Sequence, residues 1–456
     1  MIKILIFIIL LIIPFQNAMS KGLLITDAKL VMDPEKFKQR LELSDSVATN
    51  YSQNIHENIS IFQFQNDTGL KKEPMVIYFK DRTNEYIDQY LSGYIHDTIS
   101  ANGNFVTTGI FAPFSNLGLS DIGGEDLTND IRSPGSITSI NELASDSFNP
   151  KSVFIANNRR HGITHALVSP SAAGNSIFAG TGAVVDLTGN FNSIIREKAF
   201  IYVQLGESGT IYSGGSRAAS LLQLKEGLES AQCRREFCQN SLILKVNNID
   251  KKSVLSDSDT QSLVPVLRGK IPLIISVDRA VDILNVLKLK DKFNSLDLIL
   301  LGASEAWKVA DKIASANVKV MIDPHINLPS SFDSVDSSEK NIIILDNAGV
   351  DYAITNISAA GTQGLGTLTQ HAGNAVGNGL TWAKAFDAIT TTPARWFNIP
   401  LIDTSIIIWD GDPLNITSAP TNMYINLQEQ SLQSRQTLLR DRYNPNKKSD
   451  EPHKYR

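Results

Sequence analysis

From Phe105 onward the apolar positions of this chain gather into short runs separated by segments with helical spacing. The runs are Val106–Phe114, Ile163–Val168, Ala199–Leu205, Leu242–Val246, Pro272–Val277, Asp297–Leu301, Val318–Ile322 and Tyr352–Thr355. Most are continuous rather than alternating, as in parallel strands buried on both faces. The segments between them carry helical stripes. Ser304 to Asn317 puts Trp307, Ala310, Ile313 and Ala314 on one face and Lys308, Asp311 and Lys312 opposite. Arg279 to Phe293 places Ile283, Val286 and Leu287 together. Thr381 caps a further helix carrying Ala385, Phe386 and Ile389 and stopping near Pro393. Eight strand–helix units over about 290 residues predict an α/β fold, a (β/α)8 barrel. Gly180 to Gly189 reads as an inserted hairpin, which leaves the third and fourth strands the least defined.

Before the barrel the pattern is different. Gly22–Ala28 and Met75–Phe79 are short strand-like runs, polar Asn- and Ser-rich sequence lies between them, and Asn102-Gly103 is a turn signal. After it, Ser405 to Trp409 is a strand ending at Asp410-Gly411-Asp412-Pro413, Met423 to Ile425 is a candidate strand, and Ser434 to Tyr443 is charge-rich. The polar stretch 444–456 predicts disorder.

Composition adds limits. A chain of 456 residues exceeds one small core and predicts two or three domains. A net charge of −5 offers no basic face for nucleic acid or anionic lipid. At the start, Lys3 is followed by an aliphatic run from Ile4 to Phe15 and by Ala18-Met19-Ser20, a small-x-small cleavage signal. This predicts a secretory signal peptide over residues 1–20 and export, to a periplasm, of a protein with no membrane span. The run is about 12 residues, against roughly 20 for a bilayer span; an uncleaved anchor is the alternative. Export also opens a disulfide between Cys233 and Cys238, with no catalytic role for either.

Three stretches in order carry a resemblance. Val106-Thr107-Thr108-Gly109-Ile110-Phe111, Ala388-Ile389-Thr390-Thr391-Thr392-Pro393-Ala394-Arg395 and Ile406-Ile407-Ile408-Trp409-Asp410-Gly411-Asp412-Pro413-Leu414 together resemble the amidohydrolase superfamily, imidazolonepropionase-like branch. The resemblance implies a small β-sandwich built from residues 21–104 and 399–430, a barrel over 105–398, and a tail over 431–456. It implies hydrolysis of non-peptide C–N bonds, in amides or cyclic amides. It implies a homo-oligomer, and a small molecule as substrate. It also implies a divalent metal such as zinc, held by a His-x-His pair after strand 1, a Lys or Glu after strand 4, histidines after strands 5 and 6, and an Asp after strand 8. The metal would lower the pKa of bound water.

The ligand positions depart from that pattern. Strand 1 offers Phe114 and Asn116, strand 5 ends in Ser276-Val277-Asp278-Arg279, strand 6 in Gly302-Ala303, and strand 8 in Thr355-Asn356. Lys245 remains in the expected fourth strand, but a lysine bridges metals that other ligands hold. Phenylalanine has no donor atom, and asparagine is a weak oxygen donor. The expectation is therefore a chain with no metal cofactor.

Of seven histidines, His161 and His165 precede or open strand 2 at the stability face, His371 reads as a packed or solvated helix residue, and His56, His96 and His453 as surface residues. His325, in Asp323-Pro324-His325, follows strand 7 and falls at the barrel mouth. Its ordinary pKa suits acid–base work, although a solvated loop histidine is the plainer reading. Asp278 faces the same mouth, its plainer reading being an ion pair with Arg279 or a helix N-terminal carboxylate. Asp278 and His325 are thus the acid–base candidates, Asn116 the group to polarise a carbonyl, and Arg279 and Asn356 the substrate contacts. Gly214-Gly215-Ser216-Arg217 is a candidate anion loop, more simply a loop before a helix. Two functions follow: a hydrolase with an unusual site, or a metal-free, inactive relative that binds a small molecule or protein partner.

Overall fold

The computed structural model describes residues 22–32, 55–67, 72–122, 124–133, 140–235, 255–329, 331–357 and 363–444. The expected signal peptide, the expected strand Leu242–Val246 with Lys245, and Cys238 and His453 lie outside them. The chain divides into two compact units, one of Met1–Ile110, Arg160–Thr164 and Asn398–Leu432, the other of Phe111–Arg159, His165–Phe397 and Gln433–Arg456. No helix among the described residues is long and apolar enough to cross a membrane.

The first unit is built on one hydrogen-bonded network of strands: β1 Gly22–Val31, β2 Ile55–Asp67, β3 Lys72–Lys80, β4 Ile95–Ser100, β5 Phe105–Thr107, β14 Ser405–Trp409, β15 Pro420–Ile425 and β16 Gln428–Glu429. Their order is β16-β15-β14-β5-β1-β2-β3, with β4 on another stretch of β1. Both ends of the chain therefore share a sheet, joined where Ile407 pairs with Thr107 and Ile408 with Val106. Side chains alternate across it with period two. Leu23, Ile25, Ile61, Tyr78, Val106, Ile406 and Ile408 fill one cluster. Leu24, Phe62, Phe64 and Phe79 fill another with Ile87. Asn102 and Gly103 both take positive φ, 52° and 72°, and Asn104 N–H donates to Ala101 O at 2.9 Å. That left-handed two-residue turn ends β4 and lets β5 rejoin β1 in parallel. His56, expected at the surface, is buried and bonds the Met32 carbonyl at 3.3 Å. Its place in β2, beside the core, overrides the polar sequence around it.

The second unit carries a nearly closed barrel of β6 Ile110–Ser115, β7 Ile163–Val168, β8 Phe178–Asp186, β9 Ile194–Gln204, β10 Leu273–Val277, β11 Leu298–Gly302, β12 Lys319–Ile322 and β13 Tyr352–Ile354, neighbours in that order. Between the two edge strands the segment Ala388-Ile389 takes hydrogen bonds from each, Ile354 N–H to Ala388 O and Phe111 N–H to Ile389 O, both at 2.9 Å. The third and fourth places differ from the expectation. The run Gly180 to Gly189 is not an insertion: Phe178–Asp186 is the third strand, antiparallel to both neighbours. The strand containing Ala199 is fourth and pairs directly with β10, Leu273 opposite Ile201. All nine residues of β8 are buried, so strand direction cannot be read from its pattern.

Two helical expectations also change. Ser304–Asn317 is not one helix but a 3-10 turn, Ala306–Lys308, followed by the short helix Ala310–Ser315. Trp382–Asp387, capped by Thr381, stops before the edge-bridging Ala388-Ile389, and a second helix, Thr391–Trp396, contains Pro393. By contrast Ala280–Lys292 is helical, with Ile283, Val286, Leu287 and Leu289 buried as the stripe predicts.

Candidate functional site

The C-terminal ends of parallel barrel strands present loop residues to one mouth, where chemistry in this architecture is built. At strand 1, Phe114 is buried and lies edge-on to Tyr202 of β9, ring centroids 4.9 Å apart. Asn116 follows it, and its Nδ2 donates to Ser169 O at 2.6 Å. The amide expected to polarise a substrate carbonyl is thus engaged in tying the loop after β6 to the end of β7.

At strands 5 and 6 the backbone is unusual. Gly302 and Ala303 both have positive φ, 92° and 51°, a strained conformation for alanine. The turn sends Ser304 back over Asp278: its Oγ and N–H donate to Asp278 Oδ1 at 2.6 and 3.2 Å. A Cβ on Gly302 would lie 2.7 Å from the same oxygen. Asp278 therefore bonds Ser304 rather than Arg279, the first of its two plainer readings; in keeping with the second, it lies just before the helix that Arg279 opens. Arg279 turns to Asp282 at 3.7 Å, while Glu305 Oε2 accepts from Ala280 N–H at 3.0 Å and caps the helix that Arg279 opens. Burial, opposed by the Ser304 bonds and reinforced by Asp333 and Glu305, pushes the Asp278 carboxyl above its ordinary range. The same burial raises the Tyr202 hydroxyl.

Arg217, the charge of the candidate anion loop, is occupied by carboxylates. Its Nε donates to Asp333 Oδ1 at 3.1 Å and lies 3.8 Å from Asp282. Asp333 Oδ2 also accepts from Glu207 N–H, and Glu207 Oε2 from Phe332 N–H at 2.9 Å. These bonds staple the loop after β9 to the loop after β12.

At strand 7, Asp323 is buried. Its Oδ1 accepts from His325 N–H at 3.0 Å and meets His371 Nδ1 at 2.9 Å. His371, read from sequence as a packed or solvated helix residue, is a buried partner of this carboxylate, carried by the helix Leu368–Gly377. The ring of His325 is exposed, 5.4 Å from that of His371, and Asn374 Nδ2 donates to its Nδ1 at 3.3 Å. At strand 8, Thr355 Oγ1 is buried without a hydrogen-bond partner, and Asn356 Nδ2 holds its own loop through Gly364 O at 3.2 Å and Thr367 Oγ1 at 2.9 Å.

The five residues singled out from sequence thus have different hydrogen-bond and ion-pair partners. Asp278 and Arg279 belong to strands 5 and 6, His325 to strand 7, Asn116 to strands 1 and 2, and Asn356 to strand 8, each with its own partners. His371, Asp323 and Asn374 were missed, because nothing in sequence joins positions 48 apart. The only signal was the polarity of Asp323 beside an expected strand end. His161 and His165 form no second centre. His165 lies within β7, stacked on Phe111 at 6.3 Å, and burial lowers its pKa to about 3. Burial and Arg160 lower that of His161.

A zinc centre needs several nitrogen, sulfur or carboxylate donors converging on one point. Among the described residues no group of three His, Cys, Asp or Glu side chains is so placed. Phe114 is committed to aromatic packing, and Thr355 offers only a hydroxyl. The side chains at the described strand ends do not fit such a metal.

No family model matches the chain, and no curated protein matches it in sequence. Among solved structures, an amidohydrolase from Thermotoga maritima MSB8 aligns over 89% of this chain and 99% of its own, with a TM-score of 0.68 and 19% identity. The chain has the fold of that amidohydrolase. A beta-aspartyl dipeptidase from Fervidobacterium islandicum AW-1 aligns over 90% and 96% with a TM-score of 0.45 and 12% identity. An L-hydantoinase from Arthrobacter aurescens aligns over 90% and 96% with a TM-score of 0.43 and 14% identity.

Proposed function

We propose that this chain is an exported hydrolase of non-peptide C–N bonds, in amides or cyclic amides, acting on a small molecule at the C-terminal mouth of its barrel. The fold shared with an amidohydrolase supports the reaction class. The observation that carries the site is Asp278. Ser304 saturates its Oδ1, and burial holds its proton to higher pH than an ordinary carboxyl. Oδ2 is left to bind a polar group of the substrate. Export rests on the sequence of residues 1–20.

A second reading, a metal-free relative that binds without hydrolysing, is favoured by Phe114. It fills with an aromatic ring the position from which the resembling family draws a metal ligand. The two are separated by incubating purified protein with a panel of open-chain and cyclic amides, with and without chelator, beside a metal analysis. Turnover of a cyclic amide, unchanged by chelator and without stoichiometric metal, is the expected result. Binding without turnover would establish the second reading. Chelator-sensitive turnover with bound zinc would overturn the metal-free site.

A further inference from the structure

We propose that the cluster at the end of β12 is the catalytic centre of that hydrolysis, with His371 as general base and His325 as the donor that polarises the scissile carbonyl. The inference rests on the C–N hydrolase reading for its reaction and on hydrogen bonding for its assignments. An ionised carboxylate only accepts, so Asp323 Oδ1 at 2.9 Å places the His371 proton on Nδ1. Nε2 of His371 is then a lone pair. An amide Nδ2 only donates, so Asn374 at 3.3 Å makes Nδ1 of His325 an acceptor. The His325 proton is then on Nε2. Two imidazoles with centroids 5.4 Å apart therefore hold opposite tautomers. One offers a base, the other an N–H.

Asp323 and Asn374 are positioning residues. Asp323 also fixes the strand-7 loop by accepting the His325 backbone N–H at 3.0 Å, and being buried it is well placed to stabilise an imidazolium at His371. In the first step water attacks the amide carbon. Its proton passes to His371 Nε2, and the carbonyl oxygen takes the electron pair under the His325 Nε2–H. In the second step the carbonyl re-forms and the C–N bond breaks. The proton moves from His371 to the leaving nitrogen, regenerating neutral His371. No metal or co-reactant enters the balance.

The assignment is tested on the full chain in two ways. Nitrogen-15 spectra of the wild type are expected to show His371 as the Nδ1–H and His325 as the Nε2–H neutral tautomer; the reverse pattern overturns the proposal. With an amide that the wild type hydrolyses, His371→Gln is expected to lose roughly 100-fold or more in kcat with little change in KM. His325→Gln, which keeps an N–H donor, should retain more activity than His325→Ala. Wild-type kcat in His371→Gln overturns the proposal whatever the tautomers. Should the wild type hydrolyse no amide, the C–N reading falls, and the tautomers alone decide whether this base and donor pair stands.

Discussion

A glycine and a histidine show how single residues carry opposite kinds of information. Gly162 has φ +94°, and a Cβ there would lie 2.7 Å from the Trp409 ring. Backbone and space both exclude a side chain. Gly162→Ala is expected to cost about 2 kcal/mol or more, read from denaturant unfolding. His165 is buried as a neutral ring with its pKa lowered to about 3 from 6.5. The unfolded chain therefore binds that proton where the folded chain does not. Stability from this group is intact above about pH 6.5 and drains as pH falls toward 3. His165→Phe keeps an aromatic ring beside Phe111 and should flatten the acid limb of the stability profile over that window; an unchanged slope would exclude the neutral buried state. Asp278 has the opposite sign, because its folded pKa is raised. Its contribution is intact in acid and lost as pH climbs through the unfolded and then the folded carboxyl value. Asp278→Asn should remove that loss, and wild type and variant should differ least in acid.

Elements show where local pattern was overruled. The Ser304–Asn317 stripe has helical spacing, yet the chain first turns through Gly302 and Ala303 to lay Ser304 on Asp278. The strain falls on Ala303, whose φ of 51° glycine tolerates better. Ala303→Gly is expected to be neutral or to stabilise by about 0.5–1 kcal/mol. Gly302→Val should destabilise, by meeting the Asp278 carboxylate. Thermal midpoints of the two variants shifting in the same direction would contradict this account of the turn. The strand Phe178–Asp186 was overruled in a different sense. Its wholly buried run suits either direction, and only its pairing with β7 and β9 shows it to be antiparallel.

At the scale of the molecule, stability is unevenly spread. In β10 and β11 nearly every side chain is buried, and both strands pair on each side in parallel. The helix Arg435–Tyr443 has a capping box but no buried residue. Hydrogen exchange is expected to be slowest in β10 and β11 and fast along Arg435–Tyr443. Comparable protection in that helix would mean that it is held by contacts beyond its own caps.

The sequence by itself determined the strand runs of the barrel other than Phe178–Asp186, and the side chains at the strand ends; the sharing of one sheet by both chain ends was implied by the family resemblance. Continuous apolar runs, and a phenylalanine where a ligand is expected, are local facts that no folding can alter. Tertiary structure alone decided which of those side chains meet. It gave Asp278, His325 and Asn116 different partners, and it brought Asp323, His325, His371 and Asn374 together. Hydrogen bonds between residues tens of positions apart leave no periodicity in a sequence. They exist only once a strand end and a helix have packed side by side.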